Sequence, residues 1–370
     1  MGPVNIAVVG ATGAVGREFL QILEQRDFPT NRIRLFASSR SAGTRLRVKG
    51  EHLLVEETTH DSFNGVDIAF ISVSSELSGE LAPIAVHSGA LVIDDSSFFR
   101  MKPEVPLVVP EVNGEDVEWH QGIISIPNCS TTPVVMVLHS LHKANPVVRI
   151  VADTYQSVSG AGASAMMSLT NQARALLDGE ELDVPSLPQQ IAFNVIPRID
   201  NFLPTGYTKE EQKMADETRK IMHSQDLAVS ATCVRVPVFI SHSAALHVEF
   251  ERAMSTDEAR KILAKQQGVK VLDSPDEGLY PMPWDVAGTD EVFVGRIRKD
   301  SSHPKGLAMW VVSDNLRKGA ALNAIQIAEE VLRRGCLQKS DKARASVRRN
   351  RRSRVARVSS LRDKTRLLPE

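Results

Sequence analysis

Across the first 130 residues, short β-branched runs alternate with segments whose apolar residues recur at helical spacing. The runs VNIAVVG, RIRLFAS, VDIAFISVS, ALVIDDS and GIISIPN read as strands. Between the first two, AVGREFLQILEQR puts Val15, Phe19, Ile22 and Leu23 on one helical face. A β-α-β rhythm of this kind implies a mostly parallel, doubly wound sheet, because parallel neighbours need a crossover that is usually a helix. From about Val148 the texture changes to longer strands: RIVADTYQSVSG, AVSATCVRVPVFISHSAALHVEFE, EVFVGRIRKD and GLAMWVVSDN. Helical segments such as ASAMMSLTNQARALLDG and TKEEQKMADETRKIMHS lie among them. The expected fold is therefore α/β: a Rossmann-type first domain, then an α+β domain on a mainly antiparallel sheet. The expected boundaries are 1–128 and 129–315, with a last helix over about 316–337 returning to the first domain. That helix, AALNAIQIAEEVLRR, should stop at Gly335, a natural residue for the position after a helix.

Charge is distributed unevenly. Residues 339–370 hold twelve Lys/Arg against three Asp/Glu, whereas the rest of the chain has 32 basic and 42 acidic residues. Such a segment, poor in large apolar residues, is expected to be a disordered basic tail over 338–370, and a nucleic-acid role is not favoured. The apolar stretches are too short to span a bilayer, and MGPVNIAVVG reads as a strand rather than a signal peptide. Cys129, Cys233 and Cys336 are scattered, which gives neither a disulfide framework nor a metal-ligand spacing and suits a reducing cytoplasm.

The segment VVGATGAVG places Gly10, Gly13 and Gly16 where a strand passes into a helix. Glycines there allow a tight turn, so that amide N–H groups at the helix start can meet a pyrophosphate. An NAD site usually has an acidic residue at the end of the second strand, to bind the ribose 2′-hydroxyl. Here LFASSRSAG offers Ser38, Ser39, Arg40 and Ser41 and no carboxylate, which favours NADP. The plain alternative is that Arg40 is an ordinary surface arginine.

Cys129 follows the strand GIISIPN and stands at the start of the helical pattern STTPVVMVLHSLHKA. It reads either as a small buried hydrophobe or as a nucleophile whose pKa the helix start lowers. A nucleophile needs a base, and His242 lies among small polar residues where a strand-like run is interrupted. His247, on the apolar run that follows, reads as structural. Gln156, Arg100 and Arg235 stand near strand ends, and Ser159-Gly160 lies in a small-residue turn.

Taken in order, VVGATGAVG, RSAG, VPLVVPEVN, PNCST, TYQSVSGAG, IAFNVIPRID, SATCVRVPV, VFVGRIRKD and WVVSDNLRKGAA resemble the aspartate-semialdehyde dehydrogenase family over residues 4–335. The resemblance implies that Cys129 forms an acyl-thioester, that His242 is the acid/base, and that Gln156 positions the substrate or thioester. It implies Arg235 for the substrate carboxylate, Glu210 for its amino group, and Arg100 with Lys213 for phosphate. For NADP it implies Thr12, Gly13, Ala14, Val15, Arg40, Ser41, Ser159, Gly160 and Asn315. It also implies a homodimer or homotetramer joined through the second sheet. The segments FISVSSELS, DDSSFFR and SHSAA depart from the family's pattern, the second standing where members carry an NTS-type run.

The implied reaction is reductive dephosphorylation of L-aspartyl 4-phosphate to the semialdehyde, serving lysine/diaminopimelate, methionine and threonine biosynthesis. Backbone amides at the start of the helix after Asn128 are expected to hold the tetrahedral oxyanion. Two other readings are carried: an N-acetylglutamyl-phosphate reductase-like enzyme, and a non-catalytic nucleotide-binding module.

Overall fold

The structure, a computed structural model, describes residues 2–181, 187 and 189–337; the basic segment 338–370 lies outside the described residues. The first half forms a sheet from β1 (Val4–Val9), β2 (Thr30–Ala37), β3 (Arg45–Val48), β4 (Glu51–Glu57), β5 (Ile68–Ile71), β6 (Leu91–Asp94) and β7 (Ile123–Ser125). Their order is β3-β4-β2-β1-β5-β6-β7. Every neighbouring pair is parallel except β3–β4. The central strands β5 and β6 are buried at every residue, as a parallel sheet covered on both faces requires. Helices α1 (Ala14–Gln25) and α2 (Ser75–Ser88) make the crossovers, and a short α3 (Pro110–Asn113) precedes β7.

The hairpin β3–β4 is not anticipated above. Its turn, Lys49-Gly50, has positive φ at both residues (48° and 83°), the geometry of a two-residue hairpin turn. Leu46 and Val48 face the core while Arg45 and Arg47 are exposed, so cations line the sheet's outer strand and discourage edge pairing.

The second half builds a sheet from β8 (Val147–Gln156), β9 (Ala228–Arg235), β10 (His242–Phe250), β11 (Val269–Val271), β12 (Val292–Lys299) and β13 (Gly306–Ser313). The order is β11-β12-β13-β10-β8-β9. Pairs β12–β13, β13–β10 and β10–β8 are antiparallel, and only the outer pairs β11–β12 and β8–β9 are parallel. The long run from Ala228 to Glu251 divides into β9 and β10, with Ser241 at φ 76° just before the second.

Helix α4 (Thr131–Ala144) leaves β7 and buries its apolar residues in the core under the second sheet. Helices α6 (Lys209–Ile221) and α7 (Thr256–Leu263) share that core, whereas α5 (Ala163–Asp178) packs in a separate cluster with Val158, Ile191 and Ile196, and the short α8 (Pro283–Val286) sets Val286 against Phe293 and Val312. After β13 the chain makes a π-helical turn, Arg317–Ala321, and enters α9 (Leu322–Arg333). Residues Ile325, Ile327, Ala328 and Val331 of α9 join the core of the first sheet beside Phe19 and Leu23 of α1. Gly335 follows at φ 67°, where the sequence places the helix stop.

Candidate active site

The strand ends explain which residues meet. In the parallel β8–β9 register, Gln156 lies opposite Arg235; in the antiparallel β10–β13 register, His242 lies opposite Ser313. The last residues of β8, β9 and β13 and the first of β10 therefore share one edge. Facing that edge are the carboxyl ends of β6 and β7, which lead to Asp95 and to Cys129. A pocket of about 430 Å³ fills the junction. Val15, Arg100, Cys129, Gln156, Ser159, Gly160, Glu210, Lys213, Arg235 and Asn315 line it, all of them singled out from sequence.

Asn128 fixes the turn that presents Cys129. Its N–H donates to Glu217 Oε2 at 2.7 Å and its Nδ2 to Glu210 Oε1 at 2.8 Å. Its Oδ1 accepts from the Ser130 N–H at 2.8 Å, and its carbonyl accepts from the N–H groups of Thr131 and Thr132 at 2.9 and 3.1 Å. Two expectations are corrected by this geometry. Cys129 precedes Ser130, the N-cap of α4, and so lies outside the helix's first turn. The amides of Ser130, Thr131 and Thr132 are already bonded to Asn128, which leaves the Cys129 N–H, with side-chain donors such as the Gln156 amide, for an oxyanion.

The thiol pKa is corrected as well. Burial, reinforced by the Glu210 carboxylate, pushes Cys129 up to about 12 despite the opposing charges of Arg100 and Arg235. The helix start does not make a resting thiolate; the thiol needs a base.

Helix α6 carries the acidic and basic groups. A capping box fixes its start: Thr208 N–H donates to Glu211 Oε2 at 2.6 Å, and Glu211 N–H donates to Thr208 Oγ1 at 3.3 Å. The other oxygen of Glu211 accepts from the Cys233 N–H at 3.0 Å, which ties the helix to β9. One face then presents Glu210, Lys213 and Glu217 at helical spacing. Glu210 accepts from Gln156 Nε2 at 3.1 Å and from Lys213 Nζ at 3.3 Å, and Lys213 also pairs with Asp200 at 2.9 Å. Burial opposes ionisation of Glu210, but Lys213, the amides of Asn128 and Gln156, and Arg100 outweigh it and hold the carboxyl below its ordinary range. The site thus contains a buried carboxylate that keeps its charge.

His242 stands just behind the pocket wall. Its Nδ1 accepts from the Ser157 N–H at 3.0 Å, while its buried Nε2 has no hydrogen-bond partner. A Cβ on Gly160 would lie 3.0 Å from that Nε2 and 3.0 Å from Arg235 Nη1, so only a bare glycine lets both groups pack this closely behind the pocket wall. Burial first, and then the charge of Arg235, lower the imidazole pKa well below its ordinary value. A neutral imidazole follows. Arg235 donates to the Ser157 carbonyl at 2.8 Å.

The glycine turn lies at the neighbouring end of β1, where the strand order reverses direction on the sheet. Gly10 has φ 85°, and a Cβ there would lie 2.1 Å from the Ser72 carbonyl oxygen, so only glycine fits. Thr12, Gly13 and Ala14 form the turn and the start of α1, and Val15 reaches the pocket. Gly13 caps α1 with no side-chain bond, which leaves the first amides for an anionic ligand. Arg40 is exposed and Ser41 half-buried in the turn after β2, away from the pocket lining.

Sequence reasoning missed Asp95, Asn128, Asp200, Glu217 and Gly319. Asn128 adjoins Cys129, and Glu217 lies two helical turns beyond Glu210, a spacing that could have marked it. Asp95 accepts from Ser72 Oγ at 2.9 Å, and burial, opposed by Arg100, pushes its carboxyl up to about 6.

Known proteins are similar to this chain along most of its length. The family model for the semialdehyde dehydrogenase NAD binding domain matches residues 5–120, and that for the semialdehyde dehydrogenase dimerisation domain matches residues 138–318. An aspartate-semialdehyde dehydrogenase of Aquifex aeolicus is 51% identical over 337 residues, covering 90% of this chain and 99% of its own. One from Bacillus subtilis is 48% identical, covering 89% and 97%. The crystal structure of aspartate semialdehyde dehydrogenase II from Vibrio cholerae complexed with ASA is 43% identical with a TM-score of 0.88, covering 90% of this chain and 99% of that one. Aspartate semialdehyde dehydrogenase with NADP from Candida albicans is 27% identical with a TM-score of 0.70, covering 89% and 98%.

Proposed function

This chain belongs to the aspartate-semialdehyde dehydrogenase family, and from that premise we propose that it converts L-aspartyl 4-phosphate to L-aspartate 4-semialdehyde with NADP as its cofactor. The observation that carries the reading is the pocket itself, where a cysteine is surrounded by Arg100, Lys213, Arg235 and the ionised Glu210. The substrate has an acyl phosphate, a carboxylate and an ammonium, and the pocket supplies a counter-charge for each.

Arg100 and Lys213 hold the phosphate, Arg235 the carboxylate and Glu210 the ammonium. His242 takes the thiol proton, and the Cys129 thiolate attacks the acyl carbon. Phosphate departs from the tetrahedral centre, whose oxyanion accepts a hydrogen bond from the Gln156 amide, leaving a thioester on Cys129. Bound NADPH supplies the hydride that reduces this thioester. His242 returns its proton to the thiolate as the aldehyde leaves.

The residues around the glycine turn suit the cofactor. Gly10 lets the backbone turn beneath a pyrophosphate, and the uncapped amides of α1 face it. Arg40 and Ser41, with no carboxylate among residues 38–41, suit a 2′-phosphate. Ser159, Gly160 and Asn315 continue the lining toward Cys129.

The domain division is proposed at 1–128 and 129–315, with 316–337 returning to the first; packing of α9 against α1 supports it. We assign the chain to a homodimer formed through the second sheet, where the rings of Tyr155 and Trp310 pack at a tilt of 54° with centroids 5.3 Å apart on the face opposite the α4 core. No helix among the described residues is long and apolar enough to cross a membrane, and unpaired cysteines suit a cytoplasmic site.

The test is phosphate-dependent reduction of NADP with aspartate semialdehyde. Turnover that requires phosphate and favours NADP over NAD supports the reading. Preference for N-acetylglutamate semialdehyde would replace the substrate, and no turnover with either would reject the activity.

A further inference from the structure

The two cations assigned to phosphate come from different halves of the chain. Arg100 lies in the loop between β6 and α3, a loop rooted in the first sheet's core by Phe99 and Val105. Lys213 lies on α6, which is rooted in the second core by Met214 and Ile221. Two partners hold the Arg100 guanidinium: Nη1 donates to Glu217 Oε1 at 3.0 Å, and Nη2 to the Asp95 carbonyl at 2.9 Å. Its Nε is buried without a hydrogen-bond partner. A buried donor left unpaired in a pocket-lining arginine is available to an anion.

Helix α6 reaches past that ion pair. Glu210, Lys213, Glu217 and Lys220 recur at helical spacing and so follow one face. The Lys220 Nζ donates to three carbonyls of the Arg100 loop, those of Arg100 at 2.7 Å, Lys102 at 2.8 Å and Val105 at 2.8 Å. An ammonium has three hydrogens, and all three are spent on this loop. The helix therefore grips Arg100 twice, by its guanidinium through Glu217 and by its main chain through Lys220. Arg100 and Val105 are buried, and a buried carbonyl stripped of its donor is costly. Without the ammonium the loop must shift to find other partners, and Arg100 shifts with it.

We propose that Lys220 is a positioning residue of the phosphate site, its clamp on three loop carbonyls keeping Arg100 in register with Lys213. Lys220 itself stands outside the pocket lining. It acts by fixing the span between two cations that must meet one phosphate. The group assigned to the substrate carboxylate, Arg235, ends β9 and makes none of its bonds to this loop. Loss of the clamp therefore falls on phosphate and spares the semialdehyde. The inference rests on the reading of Arg100 as a phosphate ligand.

The experiment uses the full chain and varies inorganic phosphate, with semialdehyde and NADP saturating. Lys220→Ala should raise KM for phosphate about 10- to 100-fold, the scale of one hydrogen bond to a charged group. KM for semialdehyde should stay within about threefold, since its binding groups are untouched. Lys220→Gln, with two amide hydrogens for three carbonyls, should fall between wild type and Lys220→Ala. An unchanged KM for phosphate, or an equal rise in both KM values, overturns the inference. Should Lys220→Ala fail to fold, Lys220→Gln decides by the same ratio of KM values. Loss of the fold in both variants would make Lys220 a stability residue and overturn the proposal as well. A normal phosphate KM in Arg100→Gln would instead remove the phosphate reading beneath it. A raised KM in Arg100→Gln beside a normal Lys220→Ala would reject only the role given to Lys220.

Discussion

Arg100 and Glu217 form a buried ion pair 3.0 Å long, with side chains only 8% and 1% exposed. The second oxygen of Glu217 accepts the Asn128 N–H at 2.7 Å. One carboxylate thus joins an arginine of the pocket to the turn that presents the nucleophile. Removing it would leave Arg100 buried without its counter-ion and Asn128 without an acceptor.

Glu217→Ala is therefore expected to destabilise the fold by about 3–5 kcal/mol, the usual loss on breaking a buried pair. Glu217→Gln, which keeps an acceptor oxygen, should cost less and should raise KM for phosphate more than it lowers stability. Urea denaturation beside phosphate kinetics checks both. A Glu217→Ala enzyme of normal stability would contradict the account.

Gly319 lies in the π-helical turn before α9, and a Cβ there would lie 2.8 Å from the Cys129 Cβ. The backbone of Cys129 is also within 3.3 Å of that position. Gly319→Ala should displace the nucleophile and lower kcat by about 10- to 100-fold, as expected for misplacement approaching 1 Å. NADP binding should persist, measured by fluorescence titration.

Glu210 acts on Cys129 in two opposing ways. Its charge helps to push the resting thiol up to about 12, yet it is also assigned to the substrate ammonium. Glu210→Gln should therefore speed alkylation of Cys129 by iodoacetamide at pH 8, by lowering the thiol pKa, while slowing turnover. Faster alkylation with unimpaired KM for semialdehyde would leave the thiol argument standing and reject the ammonium assignment.

Asp95 provides a pH test with a definite sign. Burial, partly offset by Arg100 and Ser72, raises its carboxyl to about 6 in the fold. A raised acid binds a proton more readily folded than unfolded, so its ionisation costs stability above pH 6. That cost is relieved as pH falls through 6 and is gone below the unfolded value near 4. Asp95→Asn, which mimics the protonated form, should gain about 1–2 kcal/mol at pH 8 and almost nothing at pH 4. Urea midpoints at the two pH values decide it, and a gain confined to low pH would reverse the argument.

Much of this was legible in the sequence, and for physical reasons. Parallel strands buried on both faces leave continuous apolar runs, as in IAFI and LVID, and α1 shows its buried face through Phe19, Ile22 and Leu23. The glycine turn was readable because Gly10 answers a local backbone requirement. The β3–β4 hairpin escaped because its Lys49-Gly50 turn lacks the usual Asn-Gly or Asp-Gly signal. Arg100 and Glu217 are 117 residues apart, and a contact at that separation leaves no periodic trace. The Cys129 error had a different origin. A helix start suggests a lowered thiol pKa, but burial and Glu210 act more strongly at the same atom.

The central claim is that Cys129 carries the acyl group. Mixing the enzyme with aspartate semialdehyde and NADP in the absence of phosphate should give a burst of about one NADPH per active site and then stall, as covalent catalysis requires. Mass spectrometry of the stalled enzyme should place an aspartyl thioester on Cys129, and Cys129→Ala should give neither burst nor adduct. An equal burst in Cys129→Ala, or an adduct on Cys233 or Cys336 in its place, would contradict the mechanism.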